Sequence, residues 1–398
     1  MARSLHTLAI RPVVPGGSDL ACSSVCHRPG GSTMRPSIGL LADVGVGAAQ
    51  LVQIAREAEL AGFEGVRTIE YEYDSFAYAQ AIATATSRVV TGSSVARYFA
   101  RHPLLTAETA AVIDLFAPGR FVIGLGSGPA KRADPGLPQQ RWGLPTGREV
   151  ARIREYIEVV RLALTEDVVN YEGEFYGLTD VRMRVKPASP HVPIWLAAGG
   201  EQMTRLAGRA ADGVFVQFAG RVDTERTLDI ARDAARKAGR DPDDVRLGNL
   251  IMTCVGDDSE AARRAARAHL VDWYLHQPRI QRVFAEAGYE EMAEEIRRCN
   301  PPHDTRGTVD EILAHPQARR AAEAIPDGVL EEFTIVGTPE ECRRKLDEFV
   351  GWGTDVPILY AYPAGADWTE GYRAVIRAFA DDEPALTGGA QERRGGDR

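Results

Sequence analysis

Residues 193–215 read PIWLAAGGEQMTRLAGRAADGVF and predict a strand, a helix and a returning strand. The apolar run Ile194–Leu196 meets two alanines and two glycines, and Asp212-Gly213 leads into a second apolar run. The predicted helix 201–211 carries one apolar face, formed by Met203, Leu206, Ala207 and Ala210. Glycine permits a sharp turn and leaves the first helix amides open. The junction therefore predicts either a tight turn that binds nothing or an anion site at the helix N-terminus.

The same alternation of strand and helix continues in both directions. Outside the opening stretch, the predicted strands are 38–41, 65–70, 88–95, 120–126, 246–255 and 354–360. The first helix, 47–61, has a predicted inward face of Leu51, Ile54, Ala55 and Ala58. With the two strands of the opening stretch, eight strands alternate with helices. This pattern predicts an α/β fold, a (β/α)₈ TIM barrel.

The predicted barrel domain spans residues 34–380, between an N-terminal extension (1–33) and a tail (381–398) that we expect to be disordered. Three excursions exceed ordinary loop length: 129–146, 167–191 with a small hairpin, and a helical one at 258–330 between strands 7 and 8. A TIM barrel carries its active site at the carboxyl ends of its strands. The segments at these ends are 70–74, 93–101, 126–132, 197–202, 217–220 and 360–363.

Composition argues for a small-molecule partner. The net charge is −9 and basic residues are interspersed with acidic ones, which argues against nucleic-acid and membrane surfaces. Five scattered cysteines fit a reducing cytoplasm better than a disulfide framework. Cys22, Cys26 and His27 lack a second ligand pair at zinc spacing, so no metal site is predicted.

Two glycine-rich strand ends offer a binding surface. GLGSG at 124–128 is not a dinucleotide-binding fingerprint, because Pro129 stands where the third glycine belongs. It is not a nucleophile elbow either, since Leu125 and Pro129 flank Ser127 in place of glycines. Strands 4 and 5 are neighbours in a barrel, so Gly126–Gly128 and Gly199-Gly200 predict one anion cradle. Crowding at a barrel rim explains the same glycines without a ligand.

Acidic and phenolic side chains follow strand 2 in the sequence TIEYEYD. Glu70, Tyr71 and Asp74 are candidate catalytic residues, because a carboxylate in a desolvated barrel mouth has a raised pKa and acts as a general acid. The alternative is that these side chains simply face water.

Together these segments resemble the bacterial-luciferase-like flavin and deazaflavin oxidoreductases over residues 38–362. The matching pieces are SSVARYFARHP (93–103), DLFAPGRFVIGLGSG (114–128), RIREYIEVVRLAL (152–164), YEGEFYGL (171–178), the opening stretch, and VGTPEECRRKL (336–346). Within this family the chain is most similar to the branch that uses the deazaflavin coenzyme F420. This branch includes methylenetetrahydromethanopterin reductases and F420-dependent sugar-phosphate dehydrogenases.

The resemblance implies a homodimeric barrel that transfers hydride between F420 and a small organic substrate. It implies a non-proline cis peptide at Ser94-Val95, which forms a bulge behind the deazaflavin ring. It also implies coenzyme contacts from a further set of residues, with the phosphate near the last three: Gly126, Ser127, Gly128, Ala198, Gly199 and Gly200.

The sequence departs from the sugar-phosphate dehydrogenases at two positions. Glu70 and Pro129 stand where those enzymes have a histidine and a glutamate, so their substrate does not carry over. Two other functions stay open. One is an FMN-dependent monooxygenase that consumes oxygen, because the same barrel serves both cofactors in the family. The other is a flavin-binding or sensory protein without turnover.

Overall fold

The computed structural model describes residues 34–42, 44–70, 73–128, 143, 147–275, 277–302 and 305–381. The predicted extension 1–33 with its cysteines, nearly all of excursion 129–146, and the tail beyond residue 381 lie outside these ranges.

Eight parallel strands close into a barrel, as predicted. They are β1 (Ser37–Leu40), β2 (Gly65–Thr68), β3 (Val90–Ser93), β5 (Phe121–Gly126), β8 (Ile194–Ala197), β9 (Gly213–Gln217), β10 (Arg246–Val255) and β12 (Val356–Ala361). Neighbours follow chain order from β12 through β1 to β9, and β10 pairs with both β9 and β12 to complete the ring. Two short strands extend the sheet: β4 (Ala96–Arg97) beside β5, and β11 (Thr334–Gly337) beside β10.

Helices surround the barrel. Those that alternate with the barrel strands are α1 (Ala48–Leu60), α2 (Ser75–Ala85), α3 (Pro103–Phe116), α4 (Glu149–Thr165), α5 (Glu201–Ala210), α6 (Arg221–Lys237), α13 (Pro339–Gly351) and α14 (Trp368–Ala378). The helical excursion is confirmed and contains α7 (Ser259–Trp273), α8 (Pro278–Glu286), α9 (Glu290–Cys299), α10 (Val309–Ala314), α11 (Pro316–Glu323) and α12 (Asp327–Phe333). The hairpin before β8 is also confirmed, as β6 (Val168–Glu172) and β7 (Gly177–Arg182). Within the described ranges, no helix combines the length and hydropathy needed to cross a membrane.

Two predicted helix faces have different outcomes. The four predicted inward residues of α1 are all buried. On α5, Leu206 and Ala207 are buried, but Met203 and Ala210 are only half-buried, and Thr204 and Gly208 take their place. The reason is a close approach of α6: a Cβ on Gly208 would lie 2.0 Å from the Ala231 carbonyl oxygen. Because Gly208 has no side chain, α5 packs against α6 through this residue and not through the predicted apolar face.

Large side chains fill the barrel interior where neighbouring strands present glycine. The Tyr360 ring lies 2.7 Å from the position of a Cβ on Gly39, and the Trp195 ring lies 2.4 Å from that of Gly213. A side chain at either glycine would collide with an aromatic ring. The barrel interior is therefore packed at these positions.

Candidate active site

A cavity of about 340 Å³ opens at the carboxyl ends of the barrel strands, the edge predicted from the sequence. Seven of the predicted site residues line it: Glu70, Ser94, Val95, Ser127, Gly128, Ala198 and Gly199. Other strand ends contribute Gln217, Tyr360 and Tyr362, and the excursion between β10 and β11 contributes Trp273, Tyr274, Gln277, Pro278 and Arg279. The cavity thus lies between the barrel and its helical excursion.

The peptide bond between Ser94 and Val95 is cis, as the resemblance implied. The Tyr360 hydroxyl contacts Ser94 twice: it donates to the Ser94 carbonyl at 3.1 Å and lies 2.7 Å from the Ser94 hydroxyl. On the other side the Val95 side chain covers Gly126, where a Cβ would lie 2.5 Å from Val95 Cγ2. Gly126 is therefore absent from the cavity lining, and it makes room for Val95.

The two glycine-rich strand ends are neighbours, as predicted, because β5 pairs in parallel with β8. Gly128 adopts a φ of +71°, a conformation that favours glycine, and faces the Arg97 side chain. Gly199 lines the cavity, and Gly200 is the N-cap of α5, with no side chain capping the helix. The open amides of a helix N-terminus attract anions.

Glu70 lines the cavity and is buried, with a residue exposure of 8%. Its Oε1 accepts from the Arg97 backbone N–H at 3.1 Å, and its Oε2 accepts from Ser75 Oγ at 3.0 Å. Burial raises the pKa of Glu70, and the two hydrogen bonds offset part of that effect because they favour the ionised form. Glu70 thus lies at the cavity with a raised pKa, and its role as a general acid stays a prediction.

Asp74, the second catalytic candidate, stands apart from this arrangement. Asp74 is the N-cap of α2, where it accepts from the backbone N–H groups of Phe76 and Ala77. It also forms an ion pair with Arg101 and does not line the cavity. Its capping role follows from its position before a helix. Tyr71 lies outside the described residues.

Two hydrogen-bonded tyrosines, Tyr274 and Tyr362, line the cavity. The Tyr274 and Tyr362 hydroxyl oxygens lie 2.6 Å apart, and burial raises the pKa of both groups. Tyr362 belongs to a strand end that was predicted as part of the site. Tyr274 is the C-cap of α7 and was not predicted, because the excursion carries no sequence signal for a site.

Arg279, in the first turn of α8, was also missed. Its Nη1 donates to the carbonyl oxygen of Gln217, the last residue of β9, at 3.1 Å. Its side chain extends along Gly199: a Cβ there would lie 3.8 Å from Arg279 Cδ. Burial lowers the pKa of this guanidinium, since the charged form loses water.

A larger crevice of about 600 Å³ lies within the excursion, between α7, α10 and α11. Its lining includes Arg264 and Arg267, and both arginines already pair with carboxylates, of Asp310 and Asp327. It touches no barrel strand. The smaller cavity above the strands is therefore the better candidate for the active site.

Comparisons with known proteins agree with this architecture. The 5,10-methylenetetrahydromethanopterin reductase of Methanopyrus kandleri is 26% identical over 332 residues, which cover 80% of this chain and 90% of that protein. The F420-dependent glucose-6-phosphate dehydrogenase of Segniliparus rotundus is 35% identical over 210 residues, covering 48% of this chain and 60% of that protein.

A solved structure shares the fold. The coenzyme F420-dependent tetrahydromethanopterin reductase from Methanopyrus kandleri superposes with a TM-score of 0.70 at 23% identity, covering 87% of this chain and 98% of that chain. The model of the luciferase-like monooxygenase family matches residues 24–356. The chain therefore belongs to the luciferase-like monooxygenase family.

Proposed function

We propose that this protein is a coenzyme F420-dependent oxidoreductase that transfers hydride between the deazaflavin and a small organic substrate. Relatives named as F420-dependent enzymes, or as a reductase of this branch, support the choice of coenzyme. The observation that carries the proposal is the cavity itself, which joins the Ser94-Val95 bulge to the open N-terminus of α5. We also propose a homodimer, on the resemblance and on the exposed apolar side chains of α3. We propose a cytoplasmic location on the scattered cysteines.

The residues present fit a ligand with a flat ring and an anionic tail. Apolar side chains of Ile69, Val95 and Leu250 line the cavity, while Gly128 and Gly199 let the backbone approach a ligand closely. The helix N-terminus beyond Gly199 suits a phosphate. Reduced F420, when bound, supplies a hydride, which carries two electrons and one hydrogen.

Glu70 supplies the remaining proton. Addition of hydride to the carbon of a C=C or C=O bond leaves negative charge on the neighbouring atom, and one proton completes the two-electron reduction. Because burial raises the pKa of Glu70, its carboxyl group holds a proton at higher pH than an exposed glutamate does. In the reverse direction the carboxylate accepts that proton from an alcohol or a C–H group.

Apolar and aromatic side chains point to an organic substrate with an apolar body. Phe215, Trp273 and Tyr274 line the cavity, and the tyrosine hydroxyls offer hydrogen bonds to one polar group. A sugar phosphate is not proposed, because the chain has Glu70 in place of the histidine that the sugar-phosphate dehydrogenases carry.

Parallel fluorescence titrations with F420 and with FMN test the coenzyme. We expect F420 to bind at micromolar concentration or below, and FMN to bind much more weakly. Gly199→Val places a branched side chain against Arg279 and the helix N-terminus, so it should abolish F420 binding while the thermal transition is retained. Preferential binding of FMN, with oxygen consumed during turnover, would replace this proposal with a monooxygenase.

A further inference from the structure

Arg279 is a cavity-lining cation without a counter-charge. Among the described residues, no Asp or Glu oxygen lies within 4.0 Å of its guanidinium, and its hydrogen-bond partner is the Gln217 carbonyl oxygen. Asp223 influences it only from a longer distance. Arg279 is half-buried. A cation that loses part of its water without gaining a counter-charge is costly, so an unpaired guanidinium lining a cavity indicates an anionic ligand.

Other arginines of the excursion show the usual arrangement. Arg263 and Arg267 both reach the Asp327 carboxylate, and Arg264 reaches Asp310. Arg282, on the same helix as Arg279, points to solvent and is exposed. Arg279 differs because it is directed inward, into a cavity, with hydrogen-bond donors left over after the bond to Gln217.

Its neighbourhood on the barrel side is also electropositive. The Arg279 side chain runs beside Gly199, directly before the uncapped N-terminus of α5. The helix amides and the guanidinium therefore face the same end of the cavity. Open amides supply hydrogen bonds with a partial positive charge, and the guanidinium adds a full charge with planar donor geometry.

We propose that Arg279, carried by the excursion helix α8, binds the phosphate of the coenzyme together with the N-terminus of α5. The inference rests on the proposed function. It gives the excursion a direct part in coenzyme binding, since the barrel supplies the helix amides and the excursion supplies the charge. A phosphate between them links α8 to the β8–α5 junction.

A comparison of two ligands isolates the phosphate. Wild type and variants are titrated by fluorescence with F420 and with the same deazaflavin lacking the phosphate. Arg279→Gln should weaken F420 binding by about 10- to 100-fold, the range for a lost charge-assisted hydrogen bond, and should change binding of the phosphate-free compound less than about twofold. Arg279→Lys should fall between, since a point charge replaces a fork of donors. Arg282→Gln is the matched control on the same helix and should behave as wild type.

Three results would overturn the assignment. If Arg279→Gln weakens the binding of both ligands equally, Arg279 has a structural role. If it weakens the binding of neither ligand, Arg279 does not contact the phosphate. The third is unchanged F420 affinity combined with lost binding of inorganic phosphate to the F420-loaded protein, which would assign Arg279 to an anionic substrate.

Failure of the proposed function gives a different result. If wild type binds FMN and not F420, the coenzyme proposal is wrong, and the same comparison is made with FMN and riboflavin. Selective weakening of FMN by Arg279→Gln then supports the phosphate contact, and an equal or absent effect overturns it.

Discussion

At the scale of single residues, Glu70 carries the proton-transfer hypothesis. Glu70→Gln keeps the shape of the side chain but removes the titratable proton. We predict that kcat falls by about 10²- to 10⁴-fold, the usual contribution of a general acid, while the F420 dissociation constant is unchanged. Stopped-flow turnover and fluorescence titration measure the two quantities. An unchanged kcat in Glu70→Gln would show that Glu70 is not the proton donor.

The pH profile gives the same prediction a second readout. The acid works in its protonated form, so the rate of substrate reduction should fall as pH rises through the raised pKa of Glu70. Ser75→Ala removes a hydrogen bond that favours the carboxylate, so the fall should move to higher pH. In Glu70→Gln this limb should be absent.

Two glycines of the site have opposite steric surroundings. Gly126 has no room for a methyl group, since its Cβ would lie 2.5 Å from Val95 Cγ2 and 3.1 Å from Ala197 Cβ. Gly200 has extended backbone and nothing within 4 Å of a Cβ. We predict that Gly126→Ala lowers the free energy of unfolding by about 1–3 kcal/mol, as overpacking does, and also weakens coenzyme binding. Gly200→Ala should unfold as wild type does, and urea denaturation compares the two. An equal loss in both variants would contradict this steric explanation.

Part of the site could be predicted from the sequence, and the rest could not, for a physical reason. Glu70, Ser94 and Gly199 follow barrel strands, and the fold alone brings strand ends together. Arg279 and Tyr274 come from an excursion whose contact with the barrel depends on tertiary packing. Local periodicity carries no information about that packing. Asp74 was predicted from its position beside Glu70, but its short carboxylate has a local partner in the helix that it caps.

At the scale of elements, Asp212 fixes the β8–β9 pair that carries the site. Its carboxylate accepts from the Ile194 N–H at 2.7 Å and from Arg161 Nη2 at 3.0 Å, and it lies 3.1 Å from His191 Nε2. Burial alone would raise its pKa, but the His191 hydrogen bond and the Arg161 charge hold it well below the ordinary value.

Asp212→Asn should therefore destabilise the protein by about 1–3 kcal/mol at pH 7. A lowered pKa in the folded state means that the carboxylate stabilises the fold fully above its unfolded pKa, near 4, and loses this effect as pH falls further. The difference from wild type should shrink when urea denaturation is repeated at about pH 3. Asp229→Asn, an exposed carboxylate with no partner among the described residues, is the control. A difference independent of pH would show that shape, not charge, matters at Asp212.

Strand and helix order was predictable because apolar periodicity reports which face of an element is buried. The closed barrel, the hairpin β6–β7 and the excursion were all anticipated. Strand β11 was not, because its four residues pair only with the extended end of β10. The packing face of α5 was misplaced for a similar reason, since Gly208 permits a contact that no apolar pattern marks.

At the scale of the whole molecule, α3 presents an apolar surface to solvent. Leu105, Leu115 and Phe116 are exposed on it, with Phe116 at 57%, and Leu105, Val112 and Phe116 share one helical face. Exposed apolar stripes of this kind mark interaction sites. The homodimer implied by the resemblance supplies a specific occupant, a second copy of α3.

We predict that the wild-type protein has the mass of a dimer in light scattering after size exclusion, and that Leu105→Asp with Phe116→Asp has the mass of a monomer. Two buried carboxylates at the centre of a symmetric interface would meet their own copies, so repulsion and desolvation act together. Leu60→Asp is the control, because Leu60 is 81% exposed on α1, a different helix.

A monomeric wild type would refute the dimer. Dissociation by Leu60→Asp alone would move the interface to α1, whereas retention of F420 affinity in the α3 variant would show that each barrel binds its coenzyme without its partner.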